Sequence, residues 1–188
     1  QYDTIVKTGK YMYTMTVTDS TGKSTPITVI VYGSAKRMVS FTDSANELSV
    51  AILMKDGKYY ILLPDSKVYC EATTETLKQY AESINTSSIL LSFTKYTYQS
   101  AGTQAIGDTT YKYEDYYYPD NQKTVRFFFT DDGTIKYRGV KSSDGTVTPT
   151  SFEIYGNVTE DSVSISADYT DGGTELENQL VSSIATAS

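Results

Sequence analysis

Three Asp-Gly pairs constrain this chain more than any other feature: Asp56-Gly57, Asp132-Gly133 and Asp144-Gly145. Each lies between apolar stretches that read as strands. Asp-Gly accepts the positive φ that tight hairpin turns require, and a period-two alternation puts one side of a strand on a core. Hairpin turns of an antiparallel sheet are therefore expected at residues 55–58, 131–133 and 143–145.

The same alternation runs through most of the chain. Tyr11, Tyr13, Met15 and Val17 share a strand face, and Ile27, Val29 and Val31 share the next. Val50, Ile52 and Met54 follow, with residues 59–63 as the returning strand. Residues 111–118 and 125–130 carry bulky side chains on both faces, and 135–140 continues the second hairpin. Val163, Ile165, Ala167 and Tyr169 read as the last strand. Between the two runs the period changes: Leu77, Tyr80, Ala81 and Ile84 are spaced as one face of a helix, predicted over 75–84 with Thr73 or Thr74 as its cap. Thr174 and Glu177 have capping-box spacing, and Leu176, Leu180 and Ile184 suit a short terminal helix. The expected fold class is mainly β (α+β), about ten or eleven strands in one curved antiparallel sheet with one or two helices across its concave face. One domain over 1–188 is expected, with 1–8 a shortened N-terminal segment and 174–188 a short helix or tail.

Composition narrows the chemistry. The 188 residues include no His, a single Cys, no Trp and 18 Tyr, with a net charge of −7. Without His the commonest general base and metal ligand are gone, and one Cys makes no internal disulfide and no thiolate metal cluster. The negative charge repels phosphate backbones, so nucleic acid is not an expected partner. No cofactor and no metal are expected. An acidic, Cys-poor, Tyr-rich and Thr-rich chain reads as exported, and Gln1 opening directly into polar sequence suggests a mature or trimmed chain. An extracellular or cell-envelope location is expected, with a lipid anchor in the native form.

The order of segments resembles a known family. YMYTMTV is followed by ITVIVYG and RMVSF, then by the hairpin ILMKDGKYYILLPDSKVY, the helix, the meander TTYKYEDYYYPDNQKTVRFFFTDDGTIKYRGV and VSISADY. This arrangement, over roughly residues 5–170, resembles the LolA/LppX-like half-barrel family, the periplasmic lipoprotein carriers and related envelope lipoproteins. The resemblance implies a half-barrel whose concavity takes an acyl chain or another apolar ligand. Two departures stand out: residues 1–8 leave little room for the family's long first helix, and the order of segments does not assign Arg37, Arg126 or Arg138 to the arginine that fastens the carrier's lid, so no functional residue is carried over.

The expected function is non-enzymatic binding of a lipid or other apolar small molecule, as a monomer; another envelope protein is the further partner considered. The helix over 75–84 would be the plug or lid. Leu77, Tyr80 and Ile84 from the helix, with Met15, Phe127, Phe129 and Tyr137 from the sheet, are the candidate ligand-binding residues, because Met and Phe line irregular apolar sites. The second reading is a carbohydrate-binding or adhesion module, with Tyr111, Tyr113 and Tyr117 as an exposed row for stacking on sugars. Glu114 and Asp115 are adjacent acids on a strand and point to opposite faces, so they make no catalytic pair. Aspartates at the turns read as turn chemistry, since no stretch matches a calcium loop. Cys70 reads as a small buried hydrophobe.

Overall fold

The structure is a computed structural model that describes residues 8–18, 22–43, 48–86, 96–119 and 122–186. In chain order its elements are β1 (Lys10–Thr18), β2 (Ser24–Tyr32), β3 (Lys36–Asp43), β4 (Leu48–Lys55), β5 (Lys58–Leu63) and β6 (Val68–Glu71). Helix α1 (Glu75–Thr86) follows, then β7 (Thr97–Ile106), β8 (Thr109–Tyr118), β9 (Lys123–Phe129), β10 (Ile135–Val140) and β11 (Thr150–Tyr155). A 3-10 turn (Glu160–Val163), β12 (Thr170–Asp171) and helix α2 (Gly173–Thr186) complete the chain. The fold class agrees with the expectation: the described residues are mostly β, with two helices, although the strands among them number twelve. The chain packs as two compact units. One holds residues 1–15 and 92–157, the other 16–91 and 158–188.

In the first unit the strand order is β1-β11-β10-β9-β8-β7, antiparallel throughout. One face carries the core: Tyr11, Tyr13, Phe152, Ile154, Ile135, Phe127, Phe129, Val125 and Tyr116 are all buried. Its rings interlock, with Phe127 centred 6.1 Å from Phe152 and 6.0 Å from Tyr116, and Tyr13 5.9 Å from Phe152. These distances suit edge-on and tilted aromatic pairs. The turns at 131–133 and 143–145 join antiparallel neighbours as expected, with Gly133 at φ 89° and Gly145 at φ 87°. Strand β7 is the departure. Its sequence TYQSAGTQAI has no apolar alternation, because it is an edge strand with most side chains in solvent.

In the second unit the order is β2-β3-β4-β5-β6-β12. The neighbours are antiparallel except β6 and β12, which are parallel. Asp56 at φ 51° and Gly57 at φ 78° form the left-handed pair that the β4–β5 hairpin needs. Helices α1 and α2 pack on one face, over Val50, Ile52, Ile61, Leu63, Cys70 and Ala72. On the other face Ala51, Leu53 and Leu62 are covered by Val163, with Ile165 and Tyr169 beside it. Those three residues were expected to form a last strand. They sit instead on a 3-10 turn and an irregular segment, and only Thr170–Asp171 joins the sheet. An irregular chain laid over a sheet also buries apolar residues at intervals, so alternation alone did not separate the two forms.

Candidate functional site

Helix α1 forms where the helical spacing predicts it and places four apolar residues on one side. Leu77 and Ala81 are fully buried, while Tyr80 and Ile84 are half-buried. Leu77 and Ala81 fill the surface made by β4, β5 and β6, in one cluster with Leu176 of α2. Around that closed centre runs a fringe of partly buried apolar side chains: Phe41 and Leu48 from the sheet, Tyr80 and Ile84 from α1, and Leu180, Val181 and Ile184 from α2. The polar side of α1, with Lys78, Gln79 and Glu82, opens on a groove of about 480 Å³ that Lys58, Tyr59 and Glu71 also line.

Both ends of α1 are tied to its own unit by charged groups. At the N-terminus the carboxylate of Glu177, on α2, accepts from the backbone N–H of Thr73 and of Thr74, each at 2.6 Å, and from the Thr73 hydroxyl at 2.7 Å. A helix start exposes unpaired N–H groups and a positive dipole end, which a carboxylate satisfies together. Burial pushes the Glu177 carboxyl up, but the hydrogen bonds from Thr74 and Thr73 outweigh it and hold the group below the ordinary glutamate range. The capping box expected between Thr174 and Glu177 is therefore not the role of Glu177. Its carboxylate reaches across to the other helix, which spacing along one segment does not reveal. At the C-terminus Arg37 of β3 donates Nη1 to the carbonyl oxygen of Asn85 at 3.0 Å. A cation at that end complements the dipole and occupies a carbonyl that the helix leaves open. The Asn85 side chain is buried; its Nδ2 donates to the Ala81 carbonyl at 3.2 Å, and its Oδ1 has no partner.

The other proposed ligand residues belong to the first unit. Met15 is half-buried on the Tyr11–Tyr13 face of β1. Phe127 is fully enclosed in the aromatic core of the first unit, and Phe129, buried on the same face, also lines a cavity beside β7. Tyr137 does not share their face: the register shifts between Ile135 and Tyr137, so Tyr137 pairs with Phe128 and its ring meets Tyr111 at 5.4 Å. Leu77, Tyr80 and Ile84 are thus brought together, and the sheet residues in their cluster include Val50, Ile52 and Ile61. The bulk of Phe127 and Phe129 stands out in the sequence, whereas β4 and β5 supply ordinary aliphatic residues.

The tyrosine row does occupy one face of β8, and two of its three rings are engaged within the unit, Tyr111 with Tyr137 and Tyr113 with Arg126. The Arg126 guanidinium lies 3.5 Å from the Tyr113 ring centroid, and Tyr113 covers Gly102, where an added Cβ would come 2.7 Å from the Tyr113 hydroxyl. The acids of β8 are also committed. Glu114 accepts from the Tyr116 hydroxyl at 2.8 Å. Asp115, buried to 2% exposure, accepts from Arg126 Nε at 2.7 Å and Nη2 at 2.9 Å, and from Ser100 at 3.2 Å. Turn aspartates bond locally, as Asp144 does with the Thr146 N–H at 2.9 Å and Asp171 with the Gly173 N–H at 2.8 Å. Cys70 is wholly buried, and burial pushes its thiol up to about 11.

No family model matches this chain, and neither does any curated protein. Solved structures that align with most of this chain include three at 9–14% identity. An uncharacterized conserved protein from Thermus thermophilus is 9% identical over 91% of this chain and 98% of its own, with a TM-score of 0.40. A LolA superfamily protein from Nitrosomonas europaea is 14% identical over 85% of this chain and 87% of its own, with a TM-score of 0.34. The third is MucB, solved in complex with MucA(peri), 11% identical over 89% of this chain and 58% of its own, with a TM-score of 0.40.

Proposed function

We propose that this chain is a non-catalytic binding protein of the cell envelope, and that it holds an apolar small molecule or lipid chain against the helix layer of the second unit. The observation that carries the reading is the fringe of half-buried apolar side chains, Phe41, Leu48, Tyr80, Ile84, Leu180, Val181 and Ile184, beside a helix whose ends are fixed by Glu177 and Arg37. These side chains are only partly buried where they pack against the core cluster, so an apolar ligand laid along them would cover apolar surface that the fold leaves in solvent. The fixed ends keep α1 in place, so the ligand enters along the fringe and need not displace Leu77 or Ala81. The second unit holds 14 of the 23 acidic residues and only 7 of the 16 basic ones, so the whole net charge of −7 belongs to it. That field disfavours an anionic head group, and the cargo is neutral or cationic at its polar end.

The reading also accounts for what the reactive side chains are doing. Asp115 and Glu114 are held in hydrogen bonds, and the Cys70 thiol stays protonated at neutral pH. The carbohydrate reading is weaker, because stacking on a sugar needs exposed ring faces and Tyr113 already gives its face to Arg126. Native mass spectrometry of protein purified without detergent tests the proposal. The expected result is an apolar adduct that is lost in Ile84→Asp. Bare protein from every preparation, with no uptake of added neutral or cationic amphiphile, would count against it.

A further inference from the structure

Sheet edges expose rows of unpaired N–H and C=O groups, and proteins usually blunt them with short strands, charges or proline. The edge at β12 follows that rule: it is two residues long and ends on Asp171. The edge at β7 does not. It runs ten residues, TYQSAGTQAI, with no charged residue and no proline, and it is paired with β8 along Thr97–Ile106. Its single irregularity lies near one end, between Tyr98 and Ser100. Among the described residues no strand lies outside it.

A second feature adjoins this edge. A cavity of about 280 Å³ is lined by Ala101 and Gly102 of β7, Lys112, Tyr113 and Glu114 of β8, and Phe129 of β9. Ala101 is exposed and small, and Phe129 is buried, so the cavity has an apolar floor and a low wall on the β7 side. From these two features we propose that β7 accepts an extended segment of another protein as an added strand, with one large apolar side chain of that segment seated against Phe129. Main-chain hydrogen bonds to β7 supply the general affinity and the cavity supplies the selectivity, as in other strand-addition complexes.

Size and charge choose a peptide segment over a second copy of the chain. A ten-residue edge is roughly 33 Å long, and pairing along it would bury roughly 700 Å² in all. That falls short of the ~1,200 Å² at which stable interfaces begin, but it suits a transient peptide. In an antiparallel self-pair centred on Thr103, Ala105 of the second copy would lie opposite Ala101, and its methyl group is too short to fill a cavity floored by Phe129. The uncharged strand matches a partner segment that is itself uncharged, which is what a desolvated strand pair requires.

The test uses the whole protein and a capped peptide of alternating threonine and valine with one central phenylalanine. Two control peptides carry alanine at the centre or N-methyl groups along one edge. Amide exchange by NMR is read at Thr97–Ile106. The phenylalanine peptide should protect the β7 amides saturably, the alanine peptide should bind about tenfold more weakly, and the N-methylated one should not bind. Ala101→Lys should abolish the protection with the melting temperature unchanged. If that variant fails to fold, the N-methylated peptide carries the same information. Absence of β7 protection by any peptide at millimolar concentration would overturn the proposal. So would protection unaffected by Ala101→Lys, or a dimer in sedimentation that this substitution dissolves, which would make the occupant a second copy.

Discussion

The two units solve the problem of a buried charge in opposite ways. In the first, Asp115 and Arg126 face each other across neighbouring strands in a bidentate pair, and Gln104 and Ser100 complete their hydrogen bonds. The charges cancel within the sheet, and their other contacts, to Tyr113 and Lys141, stay in the same unit. In the second, Glu177 has no cation against it in that role; it directs its charge at the backbone of a helix start, and Arg37 directs its own at the helix end. One arrangement makes a sheet rigid in itself. The other fastens a separate layer to a sheet while leaving the apolar margin of that layer partly in solvent. The second is what a binding site needs, because the fastening and the apolar surface are carried by different residues.

Predictions that separate the two units run from large to small. Asp115→Ala leaves a buried guanidinium without its partner and should cost about 3–5 kcal/mol in denaturant unfolding. If the loss were below about 1 kcal/mol, the pair would be a surface contact and the contrast would fail. Leu77→Ala opens a hole at a fully buried site and should cost about 2–5 kcal/mol, the loss of a core position rather than of a loose lid. Glu177→Gln should cost about 1–2 kcal/mol, seen as faster amide exchange in the first turn of α1 and not in β8 or β9. Its pH dependence follows from the depressed carboxyl. The stability that Glu177 contributes is fully present above the ordinary glutamate value and is lost as pH falls through the lower folded value, so wild-type α1 should loosen in acid. In Glu177→Gln that acid-dependent part should be absent; an identical acid profile in both proteins would remove Glu177 from the account. Ile84→Asp, at a half-buried position, should cost about 1 kcal/mol or less in stability while removing apolar binding.

The sequence disclosed local features well. The Asp-Gly pairs at 56, 132 and 144 named their hairpins because each tight turn needs a glycine at positive φ: Gly57 in a two-residue turn, Gly133 and Gly145 in three-residue turns. Leu77, Tyr80, Ala81 and Ile84 named α1 because a helix buries one stripe. The strand β7 was not legible, since an edge strand in solvent carries no alternation. The irregular path of Val163, Ile165 and Tyr169 passes for a strand because it does alternate. The site itself depended on long-range pairs. Thr73 and Glu177 lie 104 positions apart, and Arg37 and Asn85 lie 48 apart, so no window along the chain joins them. Arg37 stood out only as one of three arginines, and nothing local marks it as the one that reaches a helix end.

The central claim is that the fringe of α1 and α2, and not the aromatic core of the first unit, receives an apolar ligand. A fluorescence titration with a neutral apolar dye, run on the wild type and on Ile84→Asp and Ala101→Lys, tests it most directly. Saturable binding to one site should weaken about tenfold or more in Ile84→Asp and stay unchanged in Ala101→Lys, with melting temperatures held close to the wild type. Absence of saturable binding, or binding that Ile84→Asp leaves untouched, would contradict it.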